Sequence, residues 1–196
     1  MTIRVAPLTG AAIIPALPAL ARLRITVFRD WPYLYDGTMA YEQGYLEKFA
    51  GSDQAVIVAA FDDEDIVGVS TAAPMIGHAD AFAEPFRKGG FDVSRIFYFG
   101  ESVLLRAYRG RGIGRAFFDH RETHARLIGG YTHATFCAVV RPDDHPARDT
   151  NYVPLDAFWR KRGFLPVDGL VGQFSWRDVG DSEETAKAMQ FWLKAL

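Results

Sequence analysis

The amino-acid sequence predicts an α/β (α+β) fold, a mixed sheet flanked by helices, and three observations predict it. Phe97–Val103 is an apolar, aromatic and β-branched run that passes through a glycine-rich basic turn into helical spacing. His133–Val140 is a second such run, reached through Gly129-Gly130, and strand, helix, strand implies a right-handed parallel crossover. Gln54–Phe61 and Ile66–Ala73 flank the acidic turn Asp62-Asp63-Glu64-Asp65 and read as an antiparallel hairpin. Parallel and antiparallel pairs together make the sheet mixed.

Bulk properties bound the rest. With 196 residues, 49% hydrophobic and 14% aromatic, residues 1–196 are expected to form one domain that buries a core without disulfides or metals. A net charge of -2 and a pI near 6.2 supply no basic field, so nucleic acid is not expected as a partner. The single cysteine, Cys137, has no internal disulfide partner, which fits a cytoplasmic location. Ala11–Leu17 is apolar but interrupted by Pro15, and reads as a helix start rather than a signal peptide. No apolar run is expected to approach the roughly 20 residues that span a bilayer, so no membrane is expected either.

The elements follow in order. Thr2–Pro7 alternates through Ile3 and Val5 as a first strand. Leu17, Leu20, Leu23 and Val27 give Ala16–Arg29 a helical stripe, which Asp30-Trp31-Pro32 breaks. A second helix runs from Thr38 through Met39, Tyr41, Tyr45, Leu46 and Phe49 to Gly51. The acidic hairpin turn is a solvated turn, because four consecutive carboxylates point in different directions. His78–Lys88 reads as a short helix or an irregular insertion. Gly100, inside the strand that starts at Phe97, predicts a bulge.

From Gly112, the positions Ile113, Ala116, Phe117, His120, His124, Leu127 and Ile128 form a stripe at spacings of three and four. The turn before this helix, Arg109-Gly110-Arg111-Gly112-Ile113-Gly114-Arg115, lies where backbone N–H groups lack internal partners and the helix dipole is positive. Its glycines let a ligand approach the backbone, and its arginines add charge. It is a phosphate-binding turn by its physics. The dinucleotide fingerprint fails, with Arg115 or Phe117 where the third glycine belongs, and no Walker lysine follows. His120 and His124 lack the H-E-x-x-H arrangement and a third ligand, so no metal is expected. Arg141–Asn151 is a polar loop, Pro154–Arg162 a short helix ending at Gly163, and Leu170–Trp176 a strand. At the end of the chain Met189, Phe191 and Leu193 alternate, while Ser182–Thr185 could open a helix.

Arg109–Gly114 resembles the R/Q-x-x-G-x-G/A motif of the GNAT superfamily of N-acetyltransferases, and Ala157–Phe164 resembles the same family's A-x-Y-x-x-x-G-F region. The resemblance spans roughly residues 20–196. It implies the GNAT fold, a central twisted mixed sheet of about six to seven strands, closed by a strand at 187–194. It implies acetyl-CoA as co-substrate, its pyrophosphate on Arg109, Gly110, Arg111, Gly112, Ile113, Gly114 and Arg115. Backbone groups of Ser102, Val103 and Leu104 would then bond the pantetheine arm like an added strand. The acceptor implied is a small-molecule amine or another amino-group bearer, with Trp31, Tyr33, Tyr35, Tyr41, Tyr45 and His145 as lining candidates; a homodimer is left open. Glu101, a carboxylate in an apolar strand, is the candidate general base; its structural alternative is a buried pair with an arginine such as Arg95 or Arg106. Trp159 stands where the family commonly has an acidic Tyr, so Tyr152 is the substitute acid. The alternative to an enzyme is a CoA-binding sensor or partner module, for example of a nitrilase-like amidase.

Overall fold

The structure, a computed structural model, describes residues 3–78 and 80–196, without the side chains of Tyr45, Glu47, Lys48, Ala50 and Asp80. Thr2, where the first strand was expected to begin, lies outside the described residues. Among these residues one sheet holds β1 (Ile3–Thr9), β2 (Val56–Asp62), β3 (Asp65–Pro74), β4 (Ile96–Leu104), β5 (His133–Val139), β6 (Leu165–Arg177) and β7 (Glu184–Ala195). Their order is β1-β2-β3-β4-β5-β7-β6. β4 and β5 are parallel and the other neighbours antiparallel, so the mixed sheet and the crossover are as expected. The closing segment is the strand β7, whose Met189 and Phe191 are buried. β6 begins five residues earlier than expected, at Leu165, because a register irregularity between Pro166 and Val171 hides its first half from a period-two pattern.

The helices are α1 (Leu17–Phe28), α2 (Met39–Ala50), α3 (Asp80–Lys88), α4 (Ile113–Ile128) and α5 (Asp156–Lys161). A 3-10 segment, Gly10–Ala16, runs directly into α1. Pro15 lies within it and Pro18 at the first turn of α1, where a proline does not interrupt a helix. The result corrects one expectation: Gly10–Phe28 makes 19 helical residues of mean hydropathy 1.6, long and apolar enough to cross a membrane. In this fold one stripe of that helix, Ile13, Leu20 and Leu23, is buried against Ile57, Val69 and Val103 of the sheet. On the opposite face α4 buries Phe117, Phe118 and Ala125 against Val58, Phe97 and Phe99.

Two irregularities of β4 shape the middle of the sheet. It pairs with β5 only through Ile96–Tyr98 against His133–Thr135, and beyond Tyr98 the two strands part. On its other edge the register with β3 slips between Ser70 and Ala72, so that Gly100 and Glu101 oppose Thr71 alone. A Cβ on Gly100 would stand 2.4 Å from Thr71 Oγ1, which is why the bulge needs glycine. The extra residue reverses the strand's alternation: Phe97 and Phe99 face α4, whereas Val103 faces α1. Glu101 is thereby turned to the α1 side.

Candidate active site

The turn before α4 has the geometry of an anion cradle. Gly110 and Gly112 sit at φ 78° and 81°, left-handed positions that turn successive N–H groups to one side. The first helical bond inside α4 runs from Ala116 N to Gly112 O, and no side chain caps the helix. The amides of Ile113, Gly114 and Arg115 thus precede the helical ladder and point out of the N-terminus. Arg109, Arg111 and Arg115 are exposed around them; Arg111 lies 5.3 Å over the Tyr108 ring, and Arg109 Nε donates to Leu104 O at 3.3 Å. Unbonded amides, left-handed glycines and three exposed arginines are the donor set that suits a pyrophosphate group.

The turn lies at the foot of the splay. Leu105 N donates to Val67 O, so alternation directs the Val103 amide to β3 as well, and those of Ser102 and Leu104 to the edge that parts from β5. Of the three backbone positions implied for a pantetheine arm, two face the opening. Val103 does not; its side chain is buried under α1.

Glu101 is 6% exposed and is held by a partner the sequence did not point to. Arg24 of α1 donates to Glu101 Oε2 at 2.7 Å and to Glu42 Oε2 of α2 at 2.5 Å, and Tyr35 donates its hydroxyl to Glu42 Oε1 at 2.8 Å. Glu101 is thus a buried carboxylate paired with an arginine, as the structural alternative had it, but the arginine is Arg24 rather than Arg95 or Arg106. Tyr35 is therefore part of the network; burial and then Glu42 push its phenol well above the ordinary tyrosine range. Below the bulge, wholly buried Arg121 donates to Thr71 O at 3.3 Å and stacks 4.4 Å from the Phe99 ring. Burial lowers its pKa to about 9.

The segment between α1 and α2 carries the other lining candidates. The ring of Trp31 lies 5.0 Å from that of His145 and 6.3 Å from that of Tyr152, so residues far apart in sequence form one aromatic group. Burial, then Asp156, raises the Tyr152 phenol, which keeps its proton at neutral pH. Tyr33 packs at a tilt against Phe28 with ring centroids 4.4 Å apart, and burial raises its phenol more strongly. Tyr41 is 58% exposed, and the Tyr45 side chain lies outside the described ones. The segment is strapped to the far side of the sheet. Arg141 donates to Pro32 O and Tyr33 O and grips Asp178 through two bonds of 2.6 and 2.9 Å, while Asp36 N donates to Arg177 O and Val179 N to Leu34 O.

Other named residues are structural. Trp159 packs 5.0 Å from both Phe136 and Trp192. His124 Nε2 lies 3.0 Å from Gln54 O, and among the described residues no cluster of metal-ligating side chains occurs. Cys137 lies 3.2 Å from the Tyr98 hydroxyl, and burial pushes its thiol up to about 12. Arg24, Glu42, Arg141 and Asp178 were missed because no periodicity or local motif marks a long-range ion pair.

Comparison with known proteins places this geometry. The family model for the acetyltransferase (GNAT) family matches residues 20–164. No curated protein matches the chain in sequence. Among solved structures, the chain resembles ribosomal-protein-alanine N-acetyltransferase from Brucella melitensis at 17% identity and a TM-score of 0.60, covering 100% of both chains. It resembles PaiA N-acetyltransferase from Thermoplasma acidophilum in complex with coenzyme A at 13% identity and a TM-score of 0.57, again over 100% of both. NAA60 of Arabidopsis thaliana, in complex with a bisubstrate analogue, matches at 12% identity and a TM-score of 0.62, over 100% of this chain and 99% of that one. The splayed strand, the glycine-rich turn at the N-terminus of α4 and a family match over most of its length together place this chain in the GNAT family of acetyltransferases.

Proposed function

We propose that the chain transfers an acetyl group from acetyl-CoA directly to the amine of a small molecule, or of another amino-group acceptor, in a ternary complex. The observation that carries this reading is the opening between β4 and β5 beyond Tyr98, with the anion cradle at one end and Glu101 on the α1 side. The amides of Ile113, Gly114 and Arg115, with the nearby arginines, hold the pyrophosphate. The outward amides of Ser102 and Leu104 bond the pantetheine arm as a neighbouring strand would, and one of them supports the developing oxyanion. Trp31, Tyr33 and His145 border the acceptor's entry. Glu101 supplies, from the acceptor side, the negative charge that draws the proton off the amine through an intervening group, and Tyr152, whose phenol stays protonated, is the group that protonates the departing thiolate.

Calorimetric titration of acetyl-CoA into wild type and Gly114→Asp tests the reading. The backbone at Gly114 is helical and an added Cβ meets only the Phe158 ring, at 3.9 Å, so the fold accepts the aspartate, whose charge opposes a phosphate at the helix N-terminus. Saturable binding by wild type, weakened at least about tenfold in the variant, is expected. A wild type that binds no acetyl-CoA overturns the proposal. Release of CoA with a panel of amines then separates turnover from binding alone.

A further inference from the structure

We infer that His78 takes the proton from the attacking amine, with Glu101 holding the imidazolium that results. This rests on the acetyl-transfer reading above and adds a residue it does not contain.

His78 lies between β3 and α3, its backbone N donating to Met75 O at 3.2 Å. Its ring meets that of Tyr98 edge-on at 4.9 Å and that of Phe82 at 5.6 Å. Tyr98 is the last residue of β4 paired with β5, and its hydroxyl reaches Cys137 of β5, so its ring spans the apex of the opening. Alternation puts Tyr98 opposite Phe97 and Phe99, and the bulge brings Glu101 to the same side as Tyr98. His78 therefore stands over the apex on the face that carries Glu101.

The groups around it favour a neutral imidazole. Tyr98 packs on it from β4 and Phe82 from α3, with Glu101 further along the same face of β4; Cys137 holds its proton behind Tyr98, and Arg24 of α1 pairs with Glu101. Burial lowers the pKa of His78, while the negative charge of Glu101 acts in the opposite direction. Glu101 already accepts a hydrogen bond from Arg24, which suits it to steadying a cation. The other four histidines are placed elsewhere: His120 and His124 on α4, His133 at the start of β5, and His145 in the loop beside Trp31.

In the step, the amine nitrogen bonds to the thioester carbonyl carbon and its proton passes to the unprotonated imidazole nitrogen. The C–S bond breaks, the sulfur leaves with the electron pair, and it receives a proton from Tyr152. The imidazolium returns its proton to water and the Tyr152 phenolate takes one back from water, so both groups end the cycle as they began.

Histidine-labelled protein, followed by NMR from pH 5 to 8.5, tests the pairing without an acceptor. The signal lost in His78→Gln identifies the residue. It is expected to titrate below the ordinary histidine value of about 6.5, and lower again in Glu101→Gln; an identical titration in both backgrounds overturns the pairing. With acetyl-CoA and a panel of phenethylamine, spermidine and an alanine-initiated tetrapeptide, His78→Gln should lower kcat about 10²-fold. It should abolish the acidic limb of the rate profile and leave acetyl-CoA Kd within about twofold. His78→Asn should behave the same way. Unchanged kcat with the acidic limb intact overturns the inference while leaving acetyl transfer standing. Failure of wild type to bind acetyl-CoA is the separate result that removes the broader reading.

Discussion

Arg24 shows how one side chain organises the α1 face of the sheet. It ties α1 to α2 through Glu42, which has no exposed surface, and α1 to β4 through Glu101. Removing the guanidinium strands charge in the interior, and Arg24→Met is expected to cost about 3–5 kcal/mol of stability in urea titrations. Cys137 makes a prediction of a different kind. Its thiol, raised to about 12, stays protonated at pH 8, so the half-buried side chain should be alkylated more slowly in the native protein than in the chain unfolded in urea. Because the folded value lies above the unfolded one, this group's contribution is intact below about pH 8.5 and is lost as pH rises from there toward 12. Thermal melts at pH 8 and pH 10 should show the decline. Neither residue's role is visible in a window of neighbours: Arg24 interrupts an apolar stripe, and Cys137 reads as core.

At the level of elements, the bulge of β4 decides which side chains reach which face. Gly100→Ala forces a methyl group against Thr71 Oγ1 and should cost about 1–3 kcal/mol. The same substitution should weaken acetyl-CoA binding in calorimetry, since Ser102 and Leu104 take their direction from the residues just before them. A glycine in an otherwise strong strand pattern announced this bulge, and the run of glycine and arginine before an apolar stripe announced the cradle and α4. What supports the bulge from below was not legible. Arg121 falls between His120 and His124 in the sequence, where a charged residue reads as solvated surface, yet it is wholly buried and bonded to Thr71 O. Its neighbours come from another strand and another turn of helix, and only the packed structure brings them together.

Across the whole molecule, the segment between α1 and α2 owes its position to the opposite end of the chain. Asp178 draws Arg141 and Lys187 together at 2.6 and 3.2 Å, with those side chains 9% and 5% exposed. Asp178→Ala leaves two buried cations without it and should lower stability by about 3–5 kcal/mol. Hydrogen exchange should quicken at Asp36 and Val179, the two amides that bond this segment to the strap. Burial raises the Asp178 carboxyl, but Arg141 and Lys187 outweigh it and leave the group below the usual carboxylate range. Its stabilisation is therefore present above about pH 4 and lost as pH falls through the folded value. Sequence reading reached the mixed sheet and its closing strand but left Arg141 in an unassigned loop, because a bond between residues 37 apart leaves no trace in either neighbourhood. The parting of β4 and β5 also has a mechanical meaning. Only three residue pairs join β1–β4 to the strands beyond, whereas β5 and β7 share seven. Pulled apart across its strands, the sheet should tear along that short seam first, and the breaking force in single-molecule extension should rise when a bound molecule bridges the gap.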